Sequence, residues 1–375
     1  MVLDGGSDPL YRSMVGAGGG RLVYRVEVWW SGVRVDSFGD AGLPVDAGTV
    51  SASIQNRSAR NFSAMVPAEY FPYEDTSLLS PLGAELRVWC GWRFGSMPVW
   101  MFPVFVGPVV SAGPISPWSA SFTLSATDLG DGVAADRFLV PQAAGVGKLA
   151  TDRVRQLVRE TYPEIGFGRF DEQYTVVPDG TWDSDRAGAC DGLAKAASCV
   201  WFFTAGGLLT WRRIPWTLTS FDVADVTIGT ATGLNSLEVS RSRDDVFNVV
   251  VVRGESGTAD VPVSAVAMDL DEDSPTYVDG PLGGRVLELS EDVSSVAQAQ
   301  SLARQRLARS RAVRREISGE LVTDPSLELG DIVDLVVADW RIRAALTSLS
   351  IQIAGGRPTM SCTFREAEGV VEDAG

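Results

Sequence analysis

The sequence predicts a mainly β fold with an α+β insert. Two antiparallel β-barrel or sandwich domains flank a small α+β domain, and one long helix lies in the C-terminal domain. Three observations carry this. Apolar and polar residues alternate with period two in many short runs bounded by Gly, Pro, Ser or Asp. Between about Leu139 and Pro215 the apolar spacing changes to three and four. From Ser290 a second helical stretch leads into the most regular alternation in the chain. The boundaries that follow are a flexible N-terminal arm (1–20), a first β-domain (21–138), an α+β domain (139–233), a second β-domain with the long helix (234–366) and an acidic tail (367–375).

The arm ends in Gly16-Ala-Gly-Gly-Gly20, too glycine-rich to hold a fixed conformation without outside contacts. Leu22, Tyr24, Val26 and Val28 then alternate with Val23, Arg25 and Glu27, and Ser31-Gly32 turns the chain into Val33-Arg-Val35, a β-hairpin. Further strands are expected at Val50–Ile54, Arg60–Val66, Ala84–Trp92, Trp100–Val110 and Ala120–Thr127. In the insert, Val154, Leu157 and Val158 share a helix face in Ala150–Thr161, which Pro163 stops. Ser184–Ser198 gives a second helix with Ala189, Leu193 and Ala197 inward, and Cys199–Pro215 reads as a hairpin turning at Ala205-Gly206-Gly207.

Strands return from Leu234. Phe247–Arg253 is apolar on both faces and therefore central in its sheet. The long helix is expected to start at Ser290, with Glu291 and Asp292 in its first turn and Val293, Val296, Ala299, Ala303 and Leu307 on one face. Its arginines cluster late (Arg304, Arg306, Arg309, Arg311, Arg314, Arg315), where cations suit the C-terminal end of the dipole. Ile317–Val322 and Leu327–Val337 read as strands, the latter beginning tightly at Gly330-Asp331. Leu349, Ile351 and Ile353, then Met360, Cys362 and Phe364 past Gly355-Gly356, form a half-buried hairpin.

Composition excludes several functions. Basic residues number 32 against 48 acidic ones, a formal charge of -16, and only Lys148 and Lys195 are lysine. Specific nucleic-acid binding through phosphate neutralisation is not expected, whereas a wall past which DNA slides without sticking suits this balance. The chain has no histidine, which removes Ser-His and Cys-His triads and histidine-ligated zinc sites together. Cys90, Cys190, Cys199 and Cys362 are scattered and read as reduced, packed thiols. The first seven residues lack a basic region and an apolar core, and no run has the length of a membrane span, so synthesis and folding in a cytoplasm are expected.

Each motif that invites chemistry has a plainer reading. Gly145-Val-Gly-Lys148 lacks the first glycine of a phosphate loop, which is Gln142, and Leu149 stands where Ser or Thr belongs. Asp269-Leu-Asp-Glu-Asp273 resembles half a calcium loop, but Ser274 replaces the turn glycine and Gly280 the bidentate acid. Asp171, Glu172, Asp183 and Asp185 are the carboxylates from which a glycosidase pair would be drawn, and such pairs arise freely in an acidic protein. No catalytic, cofactor-binding or metal residue is assigned, no cofactor is expected, and the chain is read as a non-enzyme. Trp29, Trp30, Trp89, Trp92, Trp100 and Trp118 exceed what one core of that size needs; they pack the core and sheet faces or anchor an obligate subunit interface.

A resemblance joins several of these segments. Asn248–Gly254, Met268–Thr276, Gly280-Pro-Leu-Gly283, the Ala/Gln/Arg-rich helix and Leu329-Gly-Asp-Ile-Val-Asp334, in that order, resemble the C-terminal half of minor tail proteins of tailed phages infecting actinobacteria, of the tail hub or baseplate hub type. Leu208–Pro215 after a small-residue helix is similar to the hub's middle hairpin. The resemblance covers about two thirds of the chain. It implies a structural virion protein at the tail tip, a homotrimeric hub whose two β-barrels are related to the tail-tube subunit and which closes or gates the tube. Implied partners are the distal tail protein or tube ring, the tape measure protein and other tip or fibre proteins. Two further readings stand beside it: a receptor- or carbohydrate-binding tip protein with exposed tryptophans, and a cell-wall glycosidase using carboxylates alone.

Overall fold

The computed structural model describes residues 8–17, 19–55, 58–171, 175–177, 180–197, 199–213, 226–244, 246–254, 263–291, 296–310, 315–338, 340–354 and 358–366. Two compact units result: unit 1, Met1–Glu238 with Ser318–Gly375, and unit 2, Val239–Ile317.

Unit 1 opens with helix α1 (Pro9–Gly16), capped by Asp8, whose carboxylate accepts from the Leu10 N–H at 2.8 Å. Tyr11 and Val15, four residues apart on one face, are buried. The expectation of an arm without fixed conformation is corrected over these eight residues, because two buried anchors outweigh the adjoining glycines. Strands β1 (Arg21–Trp30) and β2 (Val33–Arg34) form the expected hairpin, with Ser31 and Gly32 at φ 47° and 77°, as a two-residue turn demands. Then come β3 (Ala47–Ser53), β4 (Arg60–Pro67), β5 (Ala84–Arg93), β6 (Trp100–Ala112) and β7 (Ser121–Thr127). Period-two burial is plain on β4, where Phe62, Ala64 and Val66 point inward. Strand β6 pairs with β5 up to Pro108 and with β7 from Val109.

The α+β part follows: α2 (Leu129–Ala135), β8 (Gln142–Ala143), α3 (Ala150–Thr161), β9 (Phe167–Phe170), β10 (Thr181–Trp182), α4 (Arg186–Ala196), β11 (Cys199–Phe203) and β12 (Leu209–Arg213). Val154, Leu157 and Val158 of α3 meet Ala189 and Leu193 of α4, with Ala197 beyond it, and Trp201, Phe203 and Trp211 in one core, as their spacing predicts. Strands β13 (Val226–Gly229) and β14 (Leu234–Arg241) precede unit 2.

Unit 2 holds β15 (Val249–Gly254), β16 (Ser264–Met268), β17 (Val286–Glu291) and α5 (Val296–Ser310). As its two apolar faces require, β15 is central in the order β16-β15-β17. The helix starts later than expected. Ser290 pairs with Arg253 in β17 instead of capping, since parallel pairing with β15 satisfies its backbone. Ala299, Ala303 and Leu307 are buried as foreseen, Val296 is largely exposed, and Val293 lies outside the described residues.

The chain returns to unit 1 through β18 (Arg315–Val322), β19 (Ile332–Val337), β20 (Trp340–Ile353) and β21 (Thr359–Glu366). A 13-stranded sheet runs β14-β18-β21-β20-β3-β4-β7-β6-β5-β1-β2, with β19 on β20 and β13 on β19. From β21 to β2 the pairings along this order are antiparallel, as is β19 with β20, whereas β13 and β19 run parallel. The expected pair of barrels is not present as closed barrels. Strand β20 is long enough to pair with β19 through its first half and with β3 through its second, so strands expected in two domains share one sheet. No helix among the described residues is long and apolar enough to cross a membrane.

Candidate functional site

The most unusual chemistry in unit 1 lies between β18 and β19, where residues 323–331 are irregular yet buried along their length. Buried backbone without strand partners must find others. The Thr323 carbonyl accepts from Trp92 Nε1 of β5 at 2.7 Å. Asp324 Oδ1 accepts from Tyr11 Oη at 3.2 Å and from Ser326 Oγ at 2.6 Å, while Oδ2 pairs with Arg12, so α1 is held by a carboxylate far along the chain. Burial and the Asp324 charge push the Tyr11 hydroxyl pKa far up, which keeps it a donor.

Glu328 is the centre of the segment. One oxygen takes the guanidinium of Arg60 from β4, an ion pair with both side chains almost fully buried, and also the Leu329 N–H at 2.9 Å. The other accepts the Ala205 N–H at 2.8 Å, which fixes the turn of the β11–β12 hairpin. Burial lowers the Arg60 pKa to about 10, against the charges of Asp128 and Asp331, and the side chain stays cationic at neutral pH. Asp128 accepts the Arg60 N–H at 2.8 Å and the Gly130 N–H at 2.9 Å, capping α2. Burial raises its pKa above the ordinary carboxylate value in spite of these donors. Arg212 of β12 donates to the Gly330 carbonyl at 2.8 Å, with Asp331 3.9 Å away. Gly330, at φ 78°, makes the tight start of β19 that the sequence predicts, and its N–H donates to Leu346 of β20 at 2.8 Å.

Nine residues thus tie α1, β4, β5, the β11–β12 hairpin and β20 together. Every carboxylate here has a fixed donor, so the arrangement orients elements and offers no free base or nucleophile. Sequence reasoning read Leu327–Val337 as a strand and Leu329–Asp334 as part of the resemblance, whereas β19 begins only at Ile332 because Leu327–Asp331 spends its backbone on the contacts above; the roles of Arg60, Glu328, Tyr11 and Asp324 were missed. The available signal was three acids, Asp324, Glu328 and Asp331, in one short stretch leading into the apolar run Ile332–Val337.

Of the carboxylates from which a glycosidase pair was drawn, Asp171 and Asp185 are engaged locally and Asp183 is exposed. Asp171 accepts from Arg169 and from the Arg213 N–H, and Asp185 caps α4 through the Gly188 N–H; Glu172 lies outside the described residues. Lys148 is exposed, and α3 starts without a side-chain cap at Leu149. In unit 2, Asp269 takes the hydroxyls of Ser274 and Thr276, each at 2.6 Å, so the calcium-like run is a hydrogen-bonded turn. No cluster of metal-ligating side chains occurs among the described residues. All four cysteines are free and buried.

The tryptophans divide. Trp92 is buried, Trp100 stacks on Tyr11 at 5.3 Å, Trp30 donates to the Leu78 carbonyl, and Arg87 and Arg25 lie over Trp29 and Trp89. These five pack unit 1, whereas Trp118 is 93% exposed.

No protein-family model and no curated protein matches the chain. Solved structures do. The tail protein from Neisseria meningitidis MC58 is 15% identical, with a TM-score of 0.61 over 93% of this chain and 98% of that one. The 43 kDa tail protein of prophage MuSo2 from Shewanella oneidensis is 12% identical, with a TM-score of 0.57 over 91% and 98%. Prophage tail protein gp18 from Listeria monocytogenes EGD-e is 10% identical, with a TM-score of 0.52 over 90% and 94%. At these identities the likeness is one of fold, and the fold is that of phage tail proteins along nearly the whole chain.

Proposed function

We propose that this chain is a structural component of a phage tail tip, the hub, assembled as a homotrimer that closes or gates the distal end of the tube. The observation that carries the reading is the end-to-end likeness to phage tail proteins, 93% of this chain on 98% of one of them. A unit 1 cross-tied by the buried segment 323–331, whose carboxylates all hold fixed donors, suits a load-bearing connector. Its partners in this reading are two further copies, the distal tail protein or tube ring, the tape measure protein and other tip or fibre proteins, and its place is the virion tail tip after synthesis in the host cytoplasm. Two experiments test it. Antibody against the chain should label the tail tip of particles in electron microscopy, and light scattering should give three times the 40.1 kDa chain mass, alone or with a tube-end partner. Label elsewhere, or a persistent monomer with every tail protein tried, overturns it. The receptor- or carbohydrate-binding reading is favoured by one observation, the open indole of Trp118.

A further inference from the structure

The β1–β7 half of unit 1 concentrates its exposed apolar side chains at one end. Register sends the loops that carry them the same way. Trp30 opposes Ala84, Glu85 opposes Pro108, Ala112 opposes Leu124 and Pro67 opposes Ser121. Hence the β1–β2 turn, the 68–83 connection and the 113–120 loop leave their strands in the same direction; the turn lies level with Val109 and Ala126, and the 68–83 connection joins it to the Pro67–Ser121 edge through the Leu78 carbonyl, which accepts from Trp30 Nε1 at 3.0 Å. The last two adjoin, since the Ala68 N–H donates to the Ala120 carbonyl at 2.9 Å and a Cβ on Gly113 would lie 3.5 Å from the Phe71 ring. Trp118 is 93% exposed, Tyr73 77%, Leu82 73% and Val33 62%. Beneath them Phe71 is held edge-on against Tyr73 and Phe122, with centroids 4.9 and 5.2 Å apart, so the rings stand on a packed base. Glu69, Glu74 and Asp75 occupy the same connection, and no basic partner for them occurs among the described residues.

We propose that this end of unit 1 is a docking surface for a different protein, one with an apolar socket bordered by arginine or lysine; the proposal rests on the tail-tip reading above. Aromatic anchors ringed by charge are what protein interfaces use for affinity, and aliphatic Leu82 and Val33 suit a protein socket better than a sugar. The acids decide the partner's sign. A second copy meeting this end with its own would set Glu69, Glu74 and Asp75 against the same three acids, so like charge disfavours that occupant.

The test uses the assembled particle. Trp118 is replaced by the photo-crosslinker p-benzoyl-phenylalanine, particles are purified and irradiated, and the attached peptide is identified by mass spectrometry. A crosslink to another tail protein at a segment containing Arg or Lys is expected. Y73A/W118A and E69K/E74K/D75K should each lower the amount of this chain per particle about tenfold or more while leaving the melting temperature unchanged. A crosslink to a second copy, no protein crosslink, or normal incorporation of both variants overturns the proposal. Absence of the unmodified chain from particles overturns the tail-tip reading itself, which separates the two failures.

Discussion

Arg60 and Glu328 stand 268 positions apart in the chain and form a buried ion pair between β4 and the segment that precedes β19. Removing one partner leaves the other charged and buried. Glu328→Ala also strands the Ala205 N–H. It is expected to lower stability by about 3–5 kcal/mol, whereas Arg60→Met with Glu328→Leu recovers the part due to the unpaired charge and leaves the Ala205 N–H stranded. Urea unfolding of the two variants and the parent checks this.

Helix α1 depends on one ring. Tyr11→Ala is expected to cost about 3–5 kcal/mol, the range for emptying a buried aromatic site. Tyr11→Phe, which keeps the contact with Trp100 and loses only the bond to Asp324, should cost about 1 kcal/mol. Thermal melts distinguish the two.

Two glycines should differ in kind. A Cβ on Gly107 would sit 1.8 Å from the Thr127 carbonyl oxygen, where β6 changes partner, so Gly107→Ala forces strands apart and is expected to cost at least about 2 kcal/mol. At Gly95, with φ 54° and open space, Gly95→Ala should cost only about 1 kcal/mol, the strain of the left-handed backbone. Denaturation midpoints measure both.

Burial would raise the carboxyl pKa of Asp334, but hydrogen bonds from Arg343 Nε at 2.7 Å and Arg341 Nη2 at 2.8 Å outweigh it and hold the pKa below the ordinary value. The stabilisation is therefore present above the unfolded pKa, about 3.9, and is lost as pH falls through the lower folded value. Asp334→Asn should cost about 1–2 kcal/mol at pH 7, limited by the half-exposed Arg341, and the gap from the parent should close between about pH 5 and pH 2. Unfolding midpoints of both proteins across that range test the sign.

The thiols offer a fifth test. Burial pushes the Cys90 thiol up to about 12 and Cys199 up to about 11, and raises Cys190 and Cys362 as well. The folded chain at pH 8 should take up a thiol reagent at none of its 4 cysteines, and the denatured chain at all of them. Fast labelling of the folded protein would contradict the packing of β5, α4, β11 and β21.

Elements were legible wherever burial repeats with a local period. Leu349, Ile351 and Ile353 against Met360, Cys362 and Phe364 announce a hairpin, and Ile351 indeed opposes Met360. Val154, Leu157 and Val158 announce α3. The start of α5 was not legible, because Ser290 is a good cap and an adequate strand residue, and only its partner Arg253 decides between them. The arm was misjudged for a related reason: glycine content is local, whereas the pocket for Tyr11 is built from Trp100, Phe102 and Asp324.

The sequence by itself determined the mainly β character, the α+β insert, the central place of β15 and the absence of histidine chemistry, since each rests on composition or a short-range period; the resemblance to tail hubs rested on the order of its motifs. Only the tertiary structure decided that β20 lies on β3, that Glu328 faces Arg60, and that Trp118 alone of six early tryptophans stands in solvent. Strand partners and buried charge pairs are set by which distant segments exclude water together, and no period within one segment encodes that choice.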